Sequence, residues 1–429
     1  MKQVLKQIVA ALLTAEARIL LTRKKPRIVA ITGSVGKTGV KDAIYAALKA
    51  RRRVRKSEKS FNSELGVPLS ILGLRNGWSN PFSWFRNLFE GLCIALFSRE
   101  YPEWLVLEAG VDRRGDMVAL ARWLRCDIVV LTRFPEVPVH VEFFGSAEEV
   151  IREKLHLLFA LRPDGTLVYN NDDERVWEAA QSVRQKTLGF SRYSLSDFTA
   201  SADTVVYEQG KPVGMECTLT HGGESARVQV CGSLGIQHAY HAAAAAAVSS
   251  LAGISLADAA AALCEQEPPK GRMRLIAGLK ETFIIDDTYN ASPVALQQAL
   301  RTLKEIQTTG RKIAVLGDML ELGQFSVQAH EAAGAQIAES ADALITVGTR
   351  ARGFAAGARA SGMPEERIFQ HDNALAAGNE LEAMLRPGDI VLVKGSQGMR
   401  MERIVEEVMA HPEDAPALLV RQNKEWRER

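Results

Sequence analysis

The residues best suited to chemistry lie in the run ITGSVGKT, residues 31–38. Gly33 and Gly36, with Ser34 and Val35 between them, let the backbone curl so that successive N–H groups point inward. A helix opening at the same point adds its N-terminal field, and the two together favour a bound phosphate. Lys37 is spaced to reach the β- and γ-phosphates of a nucleotide, and Thr38 to ligate Mg²⁺. The strict form of this loop has a glycine five positions before Gly36. Ile31 stands there, so the match is to the shorter TGxxGKT form. The plainer reading is a glycine turn capping a helix beside a chance Lys-Thr. The β-rich RIVAITG before the turn and the helical KTGVKDAIYAALKA after it supply the context that phosphate binding requires. Such a loop indicates a nucleoside triphosphate and leaves open a kinase, a switch, a motor or a ligase.

The elements that must position this loop alternate in type. After RIVAITG, the runs WLVLEAG, DIVVLT and TLVYN read as strands and AEEVIREKLHLLFAL as an amphipathic helix, an order that calls for a parallel sheet with crossover helices. Residues 202–232 differ, with GKP and HGGE as turn signals between antiparallel hairpin strands. Two Ala-rich helices, HAYHAAAAAAVSSLAG and LADAAAALCEQ, follow. QEPPKGR (266–272) is a linker by its prolines and glycine. Beyond it TFIIDD, KIAVLGD, ALITVG and DIVLVKGS are strands, separated by helices near 293–307, 326–340, 373–386 and 401–409. The expected fold class is α/β: a central P-loop NTPase-like doubly wound sheet domain at 27–267, then a C-terminal Rossmann-like α/β domain at 268–410. An N-terminal amphipathic helix occupies 1–26. The polar tail, 411–429, is expected to be frayed or loosely packed.

Composition narrows the partners. The 429 residues are 47% hydrophobic, enough for two or three cores. Lys and Arg number 53 against 51 Asp and Glu, a net charge of +2, so no global field exists to grip nucleic acid. The cysteines (93, 126, 217, 231 and 264) form no CxxC pair, which argues against a disulfide scaffold or a zinc site and fits a reducing, cytoplasmic setting. PFSWFRNLFEGLCIALF is broken by Arg86 and Glu90 and reads as an amphipathic helix rather than a membrane span. For residues 1–25 the plainer reading is a helix lying on the body. The sharper one, with RKKPR at its end, is a weak peripheral membrane contact.

Read in order, ITGSVGKTGVKD, SFNSELGVPLSILGL, LVLEAGVDRRGDM, VPVHVEFFGSAEEVIREKL, KGRMR, IIDDTYNASP, VLGDMLELG and VKGSQGMRMERIV resemble the Mur ligase family, and DDTYNASP and LGDMLELG resemble its D-Ala-D-Ala-adding branch. The resemblance implies an ATP-dependent carboxylate–amine ligase of cell-wall precursor synthesis. ATP turns a carboxylate into an acyl phosphate, and an amine captures it as an amide. Two anions must first meet, so the site needs cations: Mg²⁺, Lys and Arg. By the same resemblance, Gly33, Gly36, Lys37 and Thr38 cradle the phosphates. Glu108 becomes a Mg²⁺ ligand at a strand end, where such residues are expected. Asn62 resembles the family Asn at the nucleotide and metal site, and His140 the His beside a second metal. Lys154 matches a lysine that is carbamylated in much of the family and so joins the metal set of Thr38, Glu108 and His140. The catalytic set implied is Lys37, Glu108, His140 and Lys154. Arg272 resembles the arginine that meets the ATP phosphates on closure, and Asp287 the ribose contact. Tyr289 and Asn290 flank the nucleotide, while Asp286 is structural. Lys394 and Ser396 face nucleotide or substrate. His330 either serves the amine substrate or holds the LGDMLELG loop.

Two departures stand out. Only 26 residues precede Arg27, so the expectation is that the family's usual N-terminal UDP-sugar-binding domain is lacking. And where the family often shows GxHNxxN, this chain has GIQHAYH, with Gln237, His238 and His241 in those places. The competing readings are the same ligation on a non-UDP substrate and a non-catalytic nucleotide-binding scaffold.

Overall fold

The computed structural model describes residues 2–58, 61–78, 80–138, 141–423 and 426. Nine strands build the first sheet: β1 (Arg27–Thr32), β2 (Val54–Lys56), β3 (Trp104–Glu108), β4 (Cys126–Leu131), β5 (Leu161–Asn170), β6 (Lys186–Ser191), β7 (Phe198–Glu208), β8 (Lys211–His221) and β9 (Glu224–Cys231). Their order is β2-β3-β1-β4-β5-β6-β7-β8-β9. Pairing is parallel as far as β7, and β7, β8 and β9 are joined antiparallel through the two turns that GKP and HGGE signalled.

β1 lies between β3 and β4 and is buried on both faces beyond its first residue. That burial explains its unbroken apolar run from Ile28 to Ile31, because a strand covered on both sides needs no polar alternation. Its side chains divide by twos. Ile28 and Ala30 join a core with the helices Lys2–Lys24 and Gly66–Leu72. Val29 and Ile31 join another with Lys37–Lys49, Gln237–Leu251 and Leu256–Cys264.

The second sheet holds β10 (Arg274–Gly278), β11 (Thr282–Asp287), β12 (Lys312–Gly317), β13 (Ala343–Val347), β14 (Ile368–His371) and β15 (Ile390–Lys394), in the order β10-β11-β15-β12-β13-β14. All neighbours are parallel except β10, which returns antiparallel along β11. Helices Pro293–Glu305, Ser326–Ser340 and Arg352–Ala360 cover one face, and Ala374–Met384 and Glu402–Val408 the other. Both sheets aim the C-terminal ends of their parallel strands at one cleft. Glu108 closes β3, Asp287 closes β11 and Lys394 closes β15. Ligands gather at this edge in open α/β sheets.

The tail is a correction. Its polar composition suggested a frayed end, yet Ala415 and Leu419 are buried in the second core. Arg421 donates to the carbonyl oxygens of Thr288 (3.1 Å) and Tyr289 (2.5 Å) and to Glu402 (2.9 Å). A guanidinium with its donors filled can be buried, so a polar sequence here reports hydrogen bonding rather than looseness. Among the described residues no helix is long and apolar enough to cross a membrane.

Candidate active site

The cleft is walled from the first sheet by Ser34–Gly39, Asn62, Glu108 and Asp112, and from the second by Arg272, Asp287, Tyr289, Asn290 and Lys394. Its floor is the turn after β1. Gly33 (φ 144°) and Gly36 (φ 86°) hold positive backbone angles that other residues rarely adopt. A Cβ on Gly33 would lie 1.9 Å from the Thr132 hydroxyl. The helix Lys37–Lys49 starts at once, which leaves its first N–H groups facing the cleft. Gly39, in that helix, allows His241 of the Ala-rich helix to approach, since a Cβ there would lie 2.0 Å from the imidazole.

Charge is concentrated around Thr38. Its hydroxyl donates to Glu108 Oε2 at 3.0 Å and accepts from Arg272 Nη2 at 3.0 Å, a contact that crosses from one lobe to the other. Asn62 Nδ2 lies 3.5 Å from Glu108 Oε1, and the Gly110 N–H donates to the Asn62 carbonyl (2.9 Å). Lys41, one helical turn beyond Lys37, is buried 3.7 Å from Glu108 Oε2. Arg272 lies over the Tyr289 ring, 4.1 Å from its centroid. Lys394 pairs with Asp287 at 2.5 Å and donates to the Asn290 carbonyl at 3.0 Å. Lys37 curls back onto the Gly33 carbonyl at 2.8 Å.

Burial pulls the Lys37 ammonium below the usual lysine range. Arg272 adds to that shift, and Glu108 and Asp112 oppose it. Lys154 ends the helix Ala147–Leu155, which Ser146 caps by accepting from the Glu149 N–H (3.2 Å). It is 1% exposed, and burial holds its ammonium well below the ordinary value. The Lys37 charge lowers it further, against Asp112 and Glu108. Burial also lowers His238 to about 4 and keeps His241 well below the usual imidazole range, so both rings are neutral near pH 7. His238 Nε2 lies 2.8 Å from the Ser233 hydroxyl. Among the described residues no three His, Cys, Asp or Glu side chains gather as a metal cage. A hydroxyl and a carboxylate side by side, open to a phosphate-binding loop, still suit Mg²⁺, which takes few protein ligands and completes its shell with phosphate and water.

Family comparison agrees over both lobes. The Mur ligase middle domain matches residues 89–249, and the Mur ligase, glutamate ligase domain, matches 271–397. The chain belongs to the Mur ligase family. The UDP-N-acetylmuramoyl-tripeptide–D-alanyl-D-alanine ligase of Bacillus subtilis (strain 168) is 29% identical over 400 residues, 92% of this chain and 79% of the relative. Its namesake from Mycobacterium tuberculosis (strain ATCC 25618 / H37Rv) is 30% identical over 409 residues, 89% and 73% of the two chains. Among solved structures, the MurF ligase from Thermotoga maritima in complex with ADP superposes with a TM-score of 0.75 at 25% identity, covering 93% of this chain and 83% of its own. Mycobacterium tuberculosis folylpolyglutamate synthase complexed with ADP shares the fold at a TM-score of 0.64 and 17% identity, covering 92% and 94%. This Mur ligase is thus an ATP-dependent enzyme that forms amide bonds.

Of the residues singled out in the sequence, the cleft of the Mur ligase gathers Ser34 to Thr38, Asn62, Glu108, Arg272, Asp287, Tyr289, Asn290 and Lys394, while Gly33 and the buried Lys154 are not on its wall. His140 lies outside the described residues. Ser396 and His330 are not on the cleft wall. The Ser396 hydroxyl accepts the Leu320 N–H (2.8 Å). His330 is fully buried, with Nε2 accepting from the Met319 N–H (3.0 Å) and Nδ1 2.6 Å from the Ser326 carbonyl. The imidazole therefore holds the LGDMLELG loop, one of the two roles left open for it. Asp286 is structural, accepting from Thr288 and the Gly271 N–H while burial raises its carboxyl to about 6. Sequence reasoning passed over Lys41, Asp112 and Arg421. The i,i+4 spacing of Lys41 from Lys37 is the one signal that could have found any of them.

Proposed function

We propose that this ligase joins the amine of D-alanyl-D-alanine, or a closely similar amine, to the carboxylate of a UDP-N-acetylmuramoyl-tripeptide, at the cost of ATP. The names of the relatives and the closing of two lobes on one hydroxyl support the reading. The observation that carries it is the contact of Arg272 with Thr38, itself bonded to Glu108. It sets a cation of the second lobe beside the phosphate loop of the first, where negative charge must be neutralised for two anions to meet.

The loop amides and the helix N-terminus would hold the β- and γ-phosphates, with Lys37 leaving the Gly33 carbonyl to bind them. A carboxylate oxygen of the peptide attacks the γ-phosphorus, the bond to the bridging oxygen breaks, and ADP leaves. The amine nitrogen then adds to the acyl carbon. The tetrahedral intermediate expels phosphate with the electrons of the C–O bond, and the nitrogen loses a proton, leaving the amide. Thr38 and Glu108 would hold Mg²⁺, which when bound neutralises phosphate charge. Lys37 and Arg272 keep the transferring group oriented from both sides. Asp287, fixed by Lys394, and Tyr289 face the rest of the nucleotide. Burial lowers the basicity of Lys154, which favours the unprotonated amine that can add to CO₂. The resulting carbamate would set an anion beside Lys37.

The test is incubation of the chain with UDP-N-acetylmuramoyl-tripeptide, D-Ala-D-Ala and Mg-ATP, followed by mass spectrometry. The expected product is the two substrates joined less one water, with one phosphate released per amide. Phosphate release indifferent to the amine, with no amide formed, overturns the proposal.

A further inference from the structure

The helices Lys2–Lys24 and Pro81–Phe97 each bury one side and expose a second stripe that is apolar as well. Inward, Leu13, Ala17 and Leu20 of the first and Ala95 of the second join the core under the sheet. Outward, Leu5, Ile8 and Leu12 are 57%, 52% and 47% exposed, and Phe82, Phe85 and Phe89 are 75%, 70% and 66% exposed. The steps of three and four residues place each set on one stripe of its helix. The second stripe continues through Leu92 and Leu96, both exposed.

The two helices run side by side in the same direction. Gly91 is pressed on the Glu16 carboxylate, Arg23 donates to the Ala95 carbonyl, and Lys24 donates to the Arg99 carbonyl at 2.8 Å. Both pack on the same core, which sets the two exposed stripes on neighbouring helices. Exposed apolar groups gathered in this way mark an interaction site on a folded domain. At the C-terminal ends of the helices, Lys24, Lys25, Arg27, Arg52, Arg53 and Arg99 surround a hollow that also holds Glu100 and Glu103.

We propose that this helix pair docks on an anionic lipid surface, with the phenylalanine and leucine stripes entering the headgroup boundary and the basic end against lipid phosphates. Apolar stripes beside clustered Lys and Arg are the pattern of interfacial helices, and neither helix is long and apolar enough to cross a membrane. Charge decides between occupants: a second copy brings the same positive end, whereas an anionic bilayer complements it. The inference is independent of which peptide and amine the ligase joins.

The test is flotation of the full chain with vesicles of phosphatidylcholine containing phosphatidylglycerol, and with vesicles of phosphatidylcholine alone. Binding is expected to be at least about tenfold stronger to the anionic vesicles and to weaken with salt. Phe85→Glu with Phe89→Glu should lower it at least about tenfold while ATP-dependent ligation continues. Lys24→Glu with Lys25→Glu should remove the preference for anionic lipid. Failure of the unmutated chain to float, equal binding to both vesicle types, or a phenylalanine variant that folds and floats like the parent overturns the proposal. So does light scattering that finds a dimer which the phenylalanine substitutions dissociate, because the face would then join two copies.

Discussion

Both lobes bring lysines to the region of the cleft, Lys394 at the end of β15 and Lys37 and Lys154 on helices, and their surroundings are opposite. Lys394 in the second lobe is held by Asp287 at 2.5 Å and by a backbone carbonyl. In the first lobe Lys37 is half-buried on the cleft and Lys154 fully buried, and desolvation pulls both below their ordinary basicity, with the Lys37 charge lowering Lys154 further. A paired buried charge is a fixture of the fold. Ammonium groups whose charge is disfavoured by desolvation are a cost to the unliganded protein, which a bound anion relieves. The difference marks the first lobe as the side where a bound anion would relieve desolvated charge and the second as the side whose buried lysine is already paired.

The largest expected effect comes from treating the two alike. Lys37→Met should lower turnover by about 10³-fold, the upper end of the scale for removing a donor aimed at developing charge. It should melt no lower than the parent, because a desolvated ammonium is removed. Lys394→Met leaves Asp287 buried without its partner and should cost about 3–5 kcal/mol of stability. Thermal melts and steady-state phosphate release on both variants separate the two roles. A Lys37 variant that unfolds early, or a Lys394 variant of unchanged stability, breaks the contrast.

Lys154 sharpens it. If this amine carries CO₂ as a carbamate, Lys154→Ala should lose about 10²-fold in activity, the lower end for one electrostatic group, and short carboxylic acids should restore part of it. Lys154→Arg, which keeps a cation and cannot form the carbamate, should not be rescued. Activity indifferent to either substitution removes the carbamate from the site.

What the sequence reveals divides along the same lines. Gly33, Gly36, Lys37 and Thr38 are chain neighbours, so the cradle they build is local and shows in their spacing. The central strands of both sheets are legible because burial on two faces demands unbroken apolar runs. β2, β6, β10 and β14, of three, six, five and four residues and each partly exposed, carry too little pattern to be seen. Asp112 gains its meaning only where the β3 loop meets Lys37 and Lys154. Arg421 gains its own from Thr288 and Tyr289, more than 130 positions earlier. Pairings over such distances have no local periodicity to betray them.

The smallest effect lies outside the cleft and asks whether buried charge there is merely a cost. Glu16 is set between the two surface helices against Gly91, and burial raises its carboxyl from 4.5 to about 7. The folded protein thus favours the protonated acid. Below pH 4.5 both folded and unfolded chains hold the proton and the residue is neutral to stability. As pH rises from 4.5 to 7 the unfolded chain ionises first, and stability declines until the folded pKa is passed. Glu16→Gln removes that dependence, so the variant should melt within error of the parent at pH 4.5 and a few degrees higher at pH 8, with the gap opening between. A gap that is constant with pH would mean that Glu16 finds a counter-charge in solution. The contrast drawn from Lys37 and Lys394 would then be a property of the cleft alone.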